Sequence, residues 1–452
     1  MLRVVNAQFV HRDLSRRPLR GPCVEETVVP SADLPLGSRT DLADRARPAD
    51  RAVPDRAATH PARTSGSPRT ALAMDELVRL TRPMPVCWHE PDTDGGYWVV
   101  TRRADVLAVS LAPQTYSSHT NTQLLRTGTI RPDVLEAQKQ QLVNQDPPAH
   151  TKLRAIVQRA FTVRAVEAMR ERLAGYARDI VRRALDRGEG NFVTDIAAEL
   201  PLLAITELLG IPGEDRQQVF EWSERMIRFE DPAMTGVALQ AMTEAYLYAN
   251  GLATARKAEP TGDVVSRLVH ADLDGEGLTE LEFNMFFVLL MVAGTETTRN
   301  AVSHGALAFL DNPDQWDRYR AERPATTADE ILRWASPALS FQRTATHDTE
   351  LGGQPIRAGD RVGVFLLPAN RDPAVFTDPD RFDIGRDPNP HVAFGGRGPH
   401  FCLGASLARL EIAVTFDAIA DIMPRLERLG EPRTMQSIII NSITELPMRY
   451  RA

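Results

Sequence analysis

The chain has 452 residues, of which 43% are hydrophobic, enough to bury a large core. Its formal net charge is −7, and lysine occurs only as Lys139, Lys152 and Lys257, so there is no polybasic footprint for nucleic acid. Three cysteines (Cys23, Cys87 and Cys402) give no disulfide framework and suit a reducing compartment, and no apolar run approaches the roughly 18 residues of a membrane span.

Residues 1–70 are rich in Arg, Asp, Pro and Ala with little apolar periodicity, and read as a disordered extension or an unused upstream start. Asp13, Glu25, Glu26, Asp33 and Asp41 argue against a transit peptide, which is poor in acids. Trp88 to Thr101 predicts a hairpin, with Asp94-Gly95 as the turn and Tyr97-Trp98-Val99-Val100 as a β-rich run. Helical patterns dominate from His150 to about Tyr319, and within them Asn284 to Thr298 is apolar nearly all round, as in a buried central helix. A second β region follows, with a turn at Glu350-Leu351-Gly352-Gly353 and a strand over Arg361–Phe365. Gly404 to Met423 returns to helix, with Leu407, Leu410, Val414 and Ile422 on one face, and Ile438 to Pro447 reads as a last β element. The fold class is mainly α with small β-sheets.

The chemistry concentrates at Phe394-Gly395-Gly396-Arg397-Gly398-Pro399-His400-Phe401-Cys402-Leu403-Gly404. A lone cysteine is usually a small core residue. This one follows a glycine-rich, basic loop and precedes a helix start, a setting that keeps a thiolate ionised. Gly395, Gly396 and Gly398 are expected to point backbone N–H groups at one sulfur. Such a thiolate is a ligand for haem iron, where it favours O–O cleavage. The plain alternative is a glycine-rich surface turn with a buried cysteine.

This loop resembles the haem-binding signature of the cytochrome P450 family, and further motifs follow in the family's order. The family usually places an aromatic seven residues before the cysteine. That position here is Gly395, with Phe394 one residue earlier, a variant seen in bacterial members that look like sterol and branched-lipid oxidases. The resemblance makes 71–452 one catalytic domain, a helix-rich triangular prism enclosing haem b (iron protoporphyrin IX), although length alone would suggest two or three domains.

The resemblance also assigns residues. Ala293-Gly294-Thr295-Glu296-Thr297-Thr298 matches the oxygen-binding pattern, with Thr297 holding the hydrogen-bonded network and Glu296 connecting it to solvent protons. Gly294 offers space beside the backbone, and Thr297 can bond one turn back. Threonines that merely satisfy themselves internally are the alternative. Glu330 and Arg333, three apart on one helical face, match the buried Glu-x-x-Arg, with Arg381 of Pro379-Asp380-Arg381-Phe382 as the third member. His150 and Arg154, four apart after Asp146-Pro147-Pro148, match propionate contacts, as do Arg343 and His400. His391 is nearby and is not counted with them.

Substrate is expected against Val292 and Ala293, Ala338-Leu339-Ser340-Phe341, Ile438-Ile439-Ile440 and the loop from Tyr116 to Thr129; most are apolar, implying a steroid, branched lipid or terpenoid. The family reading is a monooxygenase inserting one atom of O2. No flavin or nicotinamide segment is visible, so NAD(P)H acts indirectly, through a ferredoxin and ferredoxin reductase. Basic residues such as Arg154 and Arg409 are expected to help dock that partner. A peroxide-driven haem-thiolate enzyme and a non-catalytic haem-binding protein are the competing readings. The scarcity of cysteine suits a cytoplasmic protein, and the bias to Arg over Lys, with abundant Ala, Asp and Pro, suggests a high-GC bacterial host.

Overall fold

The computed structural model of the chain describes residues 84–89, 96–123, 136, 138–230, 233–272, 275–435 and 437–452. The extension over 1–70 and the boundary expected near residue 70 lie outside the described residues.

The strands are β1 Val86–His89, β2 Tyr97–Val100, β3 Tyr116–Ser117, β4 Glu189–Asn191, β5 Ser340–Ala345, β6 Thr349–Leu351, β7 Gln354–Ile356, β8 Arg361–Phe365, β9 Arg425–Arg428, β10 Arg433–Met435, β11 Ser442–Glu445 and β12 Pro447–Arg451. The largest sheet runs β1-β2-β8-β5-β3. Its β1–β2 hairpin pairs Val86 with Val100 and sets the Trp88 and Trp98 rings edge to face at 5.4 Å. The turn expected at Asp94-Gly95 lies outside the described residues. The β6–β7 turn falls on Gly352 and Gly353, both at positive φ (56° and 80°), as the sequence predicts.

The expected β element over Ile438–Pro447 is corrected. Strands form at β11 and β12, while Ile438–Ile440 is a turn with one bridge, Ala338 to Ile440. The Ser437 hydroxyl accepts from the Ile439 and Ile440 amides, each at 3.0 Å, which offers the backbone an alternative to a ladder.

The helices of nine or more residues are α1 Arg103–Leu111, α2 Ala149–Val157, α3 Arg170–Arg187, α4 Glu199–Leu209, α5 Arg216–Met226, α6 Thr235–Ala258, α7 Glu280–Asp311, α8 Pro313–Glu322, α9 Thr327–Ala335 and α10 Ala405–Ile422. The 32-residue α7 starts from a capping box in which Thr279 Oγ1 accepts from Glu282 N (3.2 Å) and Glu282 Oε2 from Thr279 N (2.9 Å). Buried residues cover almost every face of α7, so it forms the axis of the core, with α4, α9 and α10 packed around it. Gly294 belongs to this packing: a Cβ there would lie 2.8 Å from Ile205 Cδ1 of α4. On that side the space beside Gly294 is taken up by the neighbouring helix, while the residue itself stays half-buried. Among the described residues no helix is long and apolar enough to cross a membrane.

The charge cluster on α9 is present with a different third member. Glu330 and Arg333 are both fully buried, joined by Arg333 Nε and Nη2 to the two Glu330 oxygens at 2.8 Å each. The side chain that completes the cluster is Arg386, whose Nε lies 3.2 Å from Glu330 Oε2. Arg381 is exposed and contributes its backbone carbonyl, which accepts from Arg333 Nη2 (3.0 Å) and Arg386 Nη2 (2.9 Å). The chain turns between Arg381 and Arg386 so that the later guanidinium enters the core.

One buried acid was not singled out by the sequence. Glu411 on α10 is 1% exposed, its Oε1 has no partner among the described residues, and burial pushes its carboxyl up to about 8, against a hydrogen bond with Thr298 of α7 that lowers it. Native Glu411 is therefore protonated where the unfolded chain, with the ordinary carboxyl value of 4.5, is ionised. The native state then binds more protons than the unfolded one as pH rises from 4.5 towards 8, so this residue removes stability across that window. In chemical denaturation, Glu411→Gln is expected to gain on wild type steadily from pH 5 to 8; a constant difference would contradict a neutral native Glu411.

Candidate active site

The loop expected to carry the reactive sulfur is a tight, backbone-bonded turn. Cys402 N donates to Phe394 O (3.1 Å), Phe401 N to Gly398 O (3.1 Å) and Gly395 N to Val392 O (2.8 Å). Gly395, Gly396 and Gly398 all take positive φ, and a Cβ on Gly398 would sit 2.4 Å from Ser110 O of α1. These glycines set the path of the loop and its approach to α1. The backbone donor at the sulfur is Gly404, at the head of α10, in place of the three expected glycines.

The Cys402 side chain carries open surface, yet protein encloses it enough that burial pushes its thiol up. Open surface on an enclosed residue marks an internal space. The Gly404 hydrogen bond, Arg154 and Arg409 act the other way and favour the thiolate. Phe394 is buried beside this loop, 6.0 Å from the Phe401 ring, with the Arg409 guanidinium 4.7 Å over its face. Arg409 also donates to Asp329 Oδ1 (2.7 Å), as does His391 (2.9 Å). His391 thus belongs to this outer cluster.

The four predicted cations do come together. The His150 and His400 rings lie 4.2 Å apart, and His150, Arg154, Arg343 and His400 act electrostatically on one another. Burial, then Arg154, pushes His150 down to about 4, with Arg343 adding to it; burial and Arg343 push His400 down too. Arg343 is itself pushed down to about 10 by burial. The carboxylate acting on His150 and Arg343 is Asp146, which already accepts from the Ser117 hydroxyl and from Ser118 N (2.8 Å). Ser118 Oγ holds His400 Nε2 at 3.1 Å. Ser118 was not foreseen, and Asp146 was quoted only as a helix opener.

This donor set fits haem. Buried Arg343, half-buried Arg154 and two histidines face one carboxylate, and buried His150 Nδ1 has no partner among the described residues. Arginine charges left short of anions in this way are costly unless an anion joins them, and the histidines add donors beside them. The two carboxylates of haem would supply that charge, close to the Cys402 sulfur, on which the same Arg154 acts.

On α7, Ala293 is exposed and Val292 and Thr297 half-buried in the middle of an otherwise buried helix. Ala293 and Thr297, four apart, share a face that opens on an internal space. Thr297 Oγ1 donates to Ala293 O (3.0 Å), the back-bond expected from the sequence. Glu296 turns elsewhere: it is 4% exposed and accepts from Arg299 Nη2 (2.6 Å), Asn300 Nδ2 (2.8 Å) and Ser442 Oγ (3.3 Å). Burial raises its carboxyl, and Arg299 opposes that. Leu339 and Ile439 are held together by Leu339 N to Ile439 O (2.7 Å), but at 2% and 8% exposure they present almost no open surface. Of the loop from Tyr116 to Thr129, residues 124–129 lie outside the described residues.

The family model for cytochrome P450 matches residues 246–419. A steroid C26-monooxygenase of Rhodococcus jostii (strain RHA1) is 49% identical over 383 residues, covering 83% of this chain and 81% of that protein. A methyl-branched lipid omega-hydroxylase of Mycobacterium tuberculosis (strain CDC 1551 / Oshkosh) is 39% identical over 400 residues, covering 84% and 92%. Among solved structures, a Mycobacterium marinum cytochrome P450 in complex with pseudoionone superposes with a TM-score of 0.79 at 36% identity, covering 84% of this chain and 95% of that one. A loop cysteine open to an internal space, a cationic group short of anions and similarity of this degree over some four-fifths of the chain agree: the chain belongs to the cytochrome P450 family and is a haem-thiolate monooxygenase.

Proposed function

We propose that this enzyme hydroxylates the terminal methyl of a branched aliphatic chain, on a steroid side chain or a methyl-branched lipid. The observation that carries the site assignment is the Cys402 thiol, open to an internal space and adjoined by the Arg154 charge. The substrate class rests on two relatives, a steroid C26-monooxygenase and a methyl-branched lipid omega-hydroxylase, whose names both place oxidation at a chain end. The open α7 surface at Val292 and Ala293 is apolar and small, which suits the narrow end of such a chain.

Haem, when bound, supplies the activation of O2. Cys402 would hold its iron, with the Gly404 amide, Arg154 and Arg409 favouring the thiolate against the effect of burial. His150, Arg154, Arg343 and His400 hold its carboxylates. Phe394, packed under Arg409, covers one side of the sulfur loop. Thr297 presents a hydroxyl to the distal side, its own proton tied to Ala293 O, so its free lone pairs accept from water. Glu296 passes protons towards it from solvent. Electrons come from a ferredoxin and its NAD(P)H-dependent reductase. Arg154 belongs with the carboxylate group, so of the two basic residues offered for docking only Arg409, with 38% of its side chain exposed, remains.

The test is a spectral binding screen of steroids, branched lipids and terpenes, followed by mass spectrometry of the products. Terminal hydroxylation of steroid or branched-lipid side chains is expected; oxidation confined to rings or mid-chain carbons would overturn the proposal. Thr297→Val should slow product formation by roughly 10²-fold, the scale of a positioned proton-transfer group, while NAD(P)H consumption falls far less. Equal loss of both would assign Thr297 a packing role.

A further inference from the structure

Asp329 precedes Glu330 on α9 but serves a different pair of residues. Its Oδ1 accepts from Arg409 Nε of α10 (2.7 Å) and from His391 Nε2 (2.9 Å). A third bond fixes the direction of the second. Ala393 N donates to His391 Nδ1 (3.2 Å), so the ring proton sits on Nε2 and is given to Asp329. Burial raises the Asp329 carboxyl, but the His391 and Arg409 contacts outweigh it and hold it below the usual range, so it stays ionised. Arg409 is held at two further points: its Nη1 donates to Ala405 O (3.4 Å), and its guanidinium lies 4.7 Å over the Phe394 ring. Helical side chains lean towards the N-terminus, which turns Arg409 back along α10 to the Cys402 loop. Phe394 is buried, its carbonyl accepts from Cys402 N (3.1 Å), and its ring lies 6.0 Å from that of Phe401. Arg409 thus stands against an apolar wall bonded to the sulfur residue, and its charge acts on Cys402.

We propose that Asp329 and His391 form a brace that fixes Arg409 on Phe394 and so sets how strongly Cys402 donates to a bound haem iron, an inference that rests on Cys402 as the iron's ligand. Positive charge beside the sulfur draws its electron density and favours reduction of the iron; negative charge does the reverse. Arg409 supplies the first, and Asp329 partly cancels it. The hydrogen bond from His391 draws charge from the same carboxylate oxygen and leaves more of the Arg409 charge to act on the sulfur. Buried Phe394 keeps water from the space it fills, so the field is less screened there than between surface charges. The side chains of Arg409 and Asp329 are 38% and 32% exposed, which keeps the expected effect moderate. Asp329 and His391 are positioning residues, because they act through Arg409. The brace changes how readily the iron accepts an electron from the NAD(P)H-fed partner and makes no covalent bond itself.

The test measures the reduction potential of the haem iron in the holoenzyme by spectroelectrochemical titration, without substrate or ferredoxin. Asp329→Asn keeps an acceptor oxygen for Arg409 and removes the negative charge. It should shift the ferric–ferrous equilibrium about fivefold towards ferrous, a rise of about 40 mV at 59 mV per tenfold change. Arg409→Gln should shift it about fivefold the other way, and the double variant should return close to wild type. His391→Phe leaves both charges in place and removes only the donor to Asp329, so the equilibrium should move about twofold towards ferric. Opposite signs in the two charge variants separate the brace from a packing role, because a loosened loop would move both in one direction. A role of Arg409 in partner docking would leave a potential measured without the partner unchanged. The ferrous carbon monoxide spectrum should keep its thiolate character throughout. Unchanged potentials, or shifts of one sign, alongside that spectrum would overturn the brace and leave Cys402 as the ligand. A wild-type spectrum without thiolate character would overturn both.

Discussion

Cys402→Ser is expected to abolish monooxygenase activity while leaving much of the haem bound. Burial pushes the native thiol up, while the Gly404 amide and the Arg154 and Arg409 charges act against burial and favour the thiolate that an iron would take. A serine hydroxyl, far less acidic, stays protonated under the same influences and gives iron no comparable ligand. Retention of haem falls to His150, Arg154, Arg343 and His400, whose geometry does not depend on the sulfur. The measurement is haem content per chain together with the spectrum of the ferrous carbon monoxide complex, which should lose its thiolate character. A thiolate spectrum persisting in the variant would place the ligand elsewhere. Cys87 is a poor substitute: it is buried in a separate apolar cluster with Val99 and Phe365, and burial pushes its thiol up to about 11.

The second large effect is on stability. Glu330 accepts from Arg333 Nε and Nη2, from Asp383 N (2.8 Å), from Arg386 Nε (3.2 Å) and from Asn389 Nδ2 (3.1 Å), with no surface exposed. Glu330→Ala strands the fully buried Arg333 and should cost about 3–5 kcal/mol in denaturant unfolding of the holoenzyme. Arg386→Ala should also destabilise, since its guanidinium additionally holds the Thr377, Asp378 and Arg381 carbonyls. Arg381→Ala should stay within about 0.5 kcal/mol, because the carbonyl it contributes is kept. A loss at Arg381→Ala matching that at Arg386→Ala would reverse the assignment.

These two cases show where reading along the chain succeeds. The Cys402 loop is a local object: its glycines, the cysteine and the helix start lie within a dozen residues, so one stretch of sequence specifies the whole turn. The β6–β7 turn and the strand β8 are likewise set by neighbours in sequence. His150 and Arg154 are legible for the same reason, being one helical turn apart. Arg386 is not. Nothing local distinguishes it from Arg381; only the fold of the segment between them decides which guanidinium enters the core. The contact on one side of Gly294 is equally hidden from local reading, because its missing side chain makes room for Ile205, some ninety residues earlier.

The amino-acid sequence by itself determined the thiolate loop, the buried central helix with its Glu296-Thr297 pair and the supply of cations, because each is encoded at helical or turn spacing. The tertiary structure alone decided that Ser118 orients His400, that Arg299 ties Glu296 to Glu224, and that Glu411 lies neutral against Thr298. Each joins segments separated by up to 282 residues, and both the desolvation and the partners that set such charges exist only once the chain has packed.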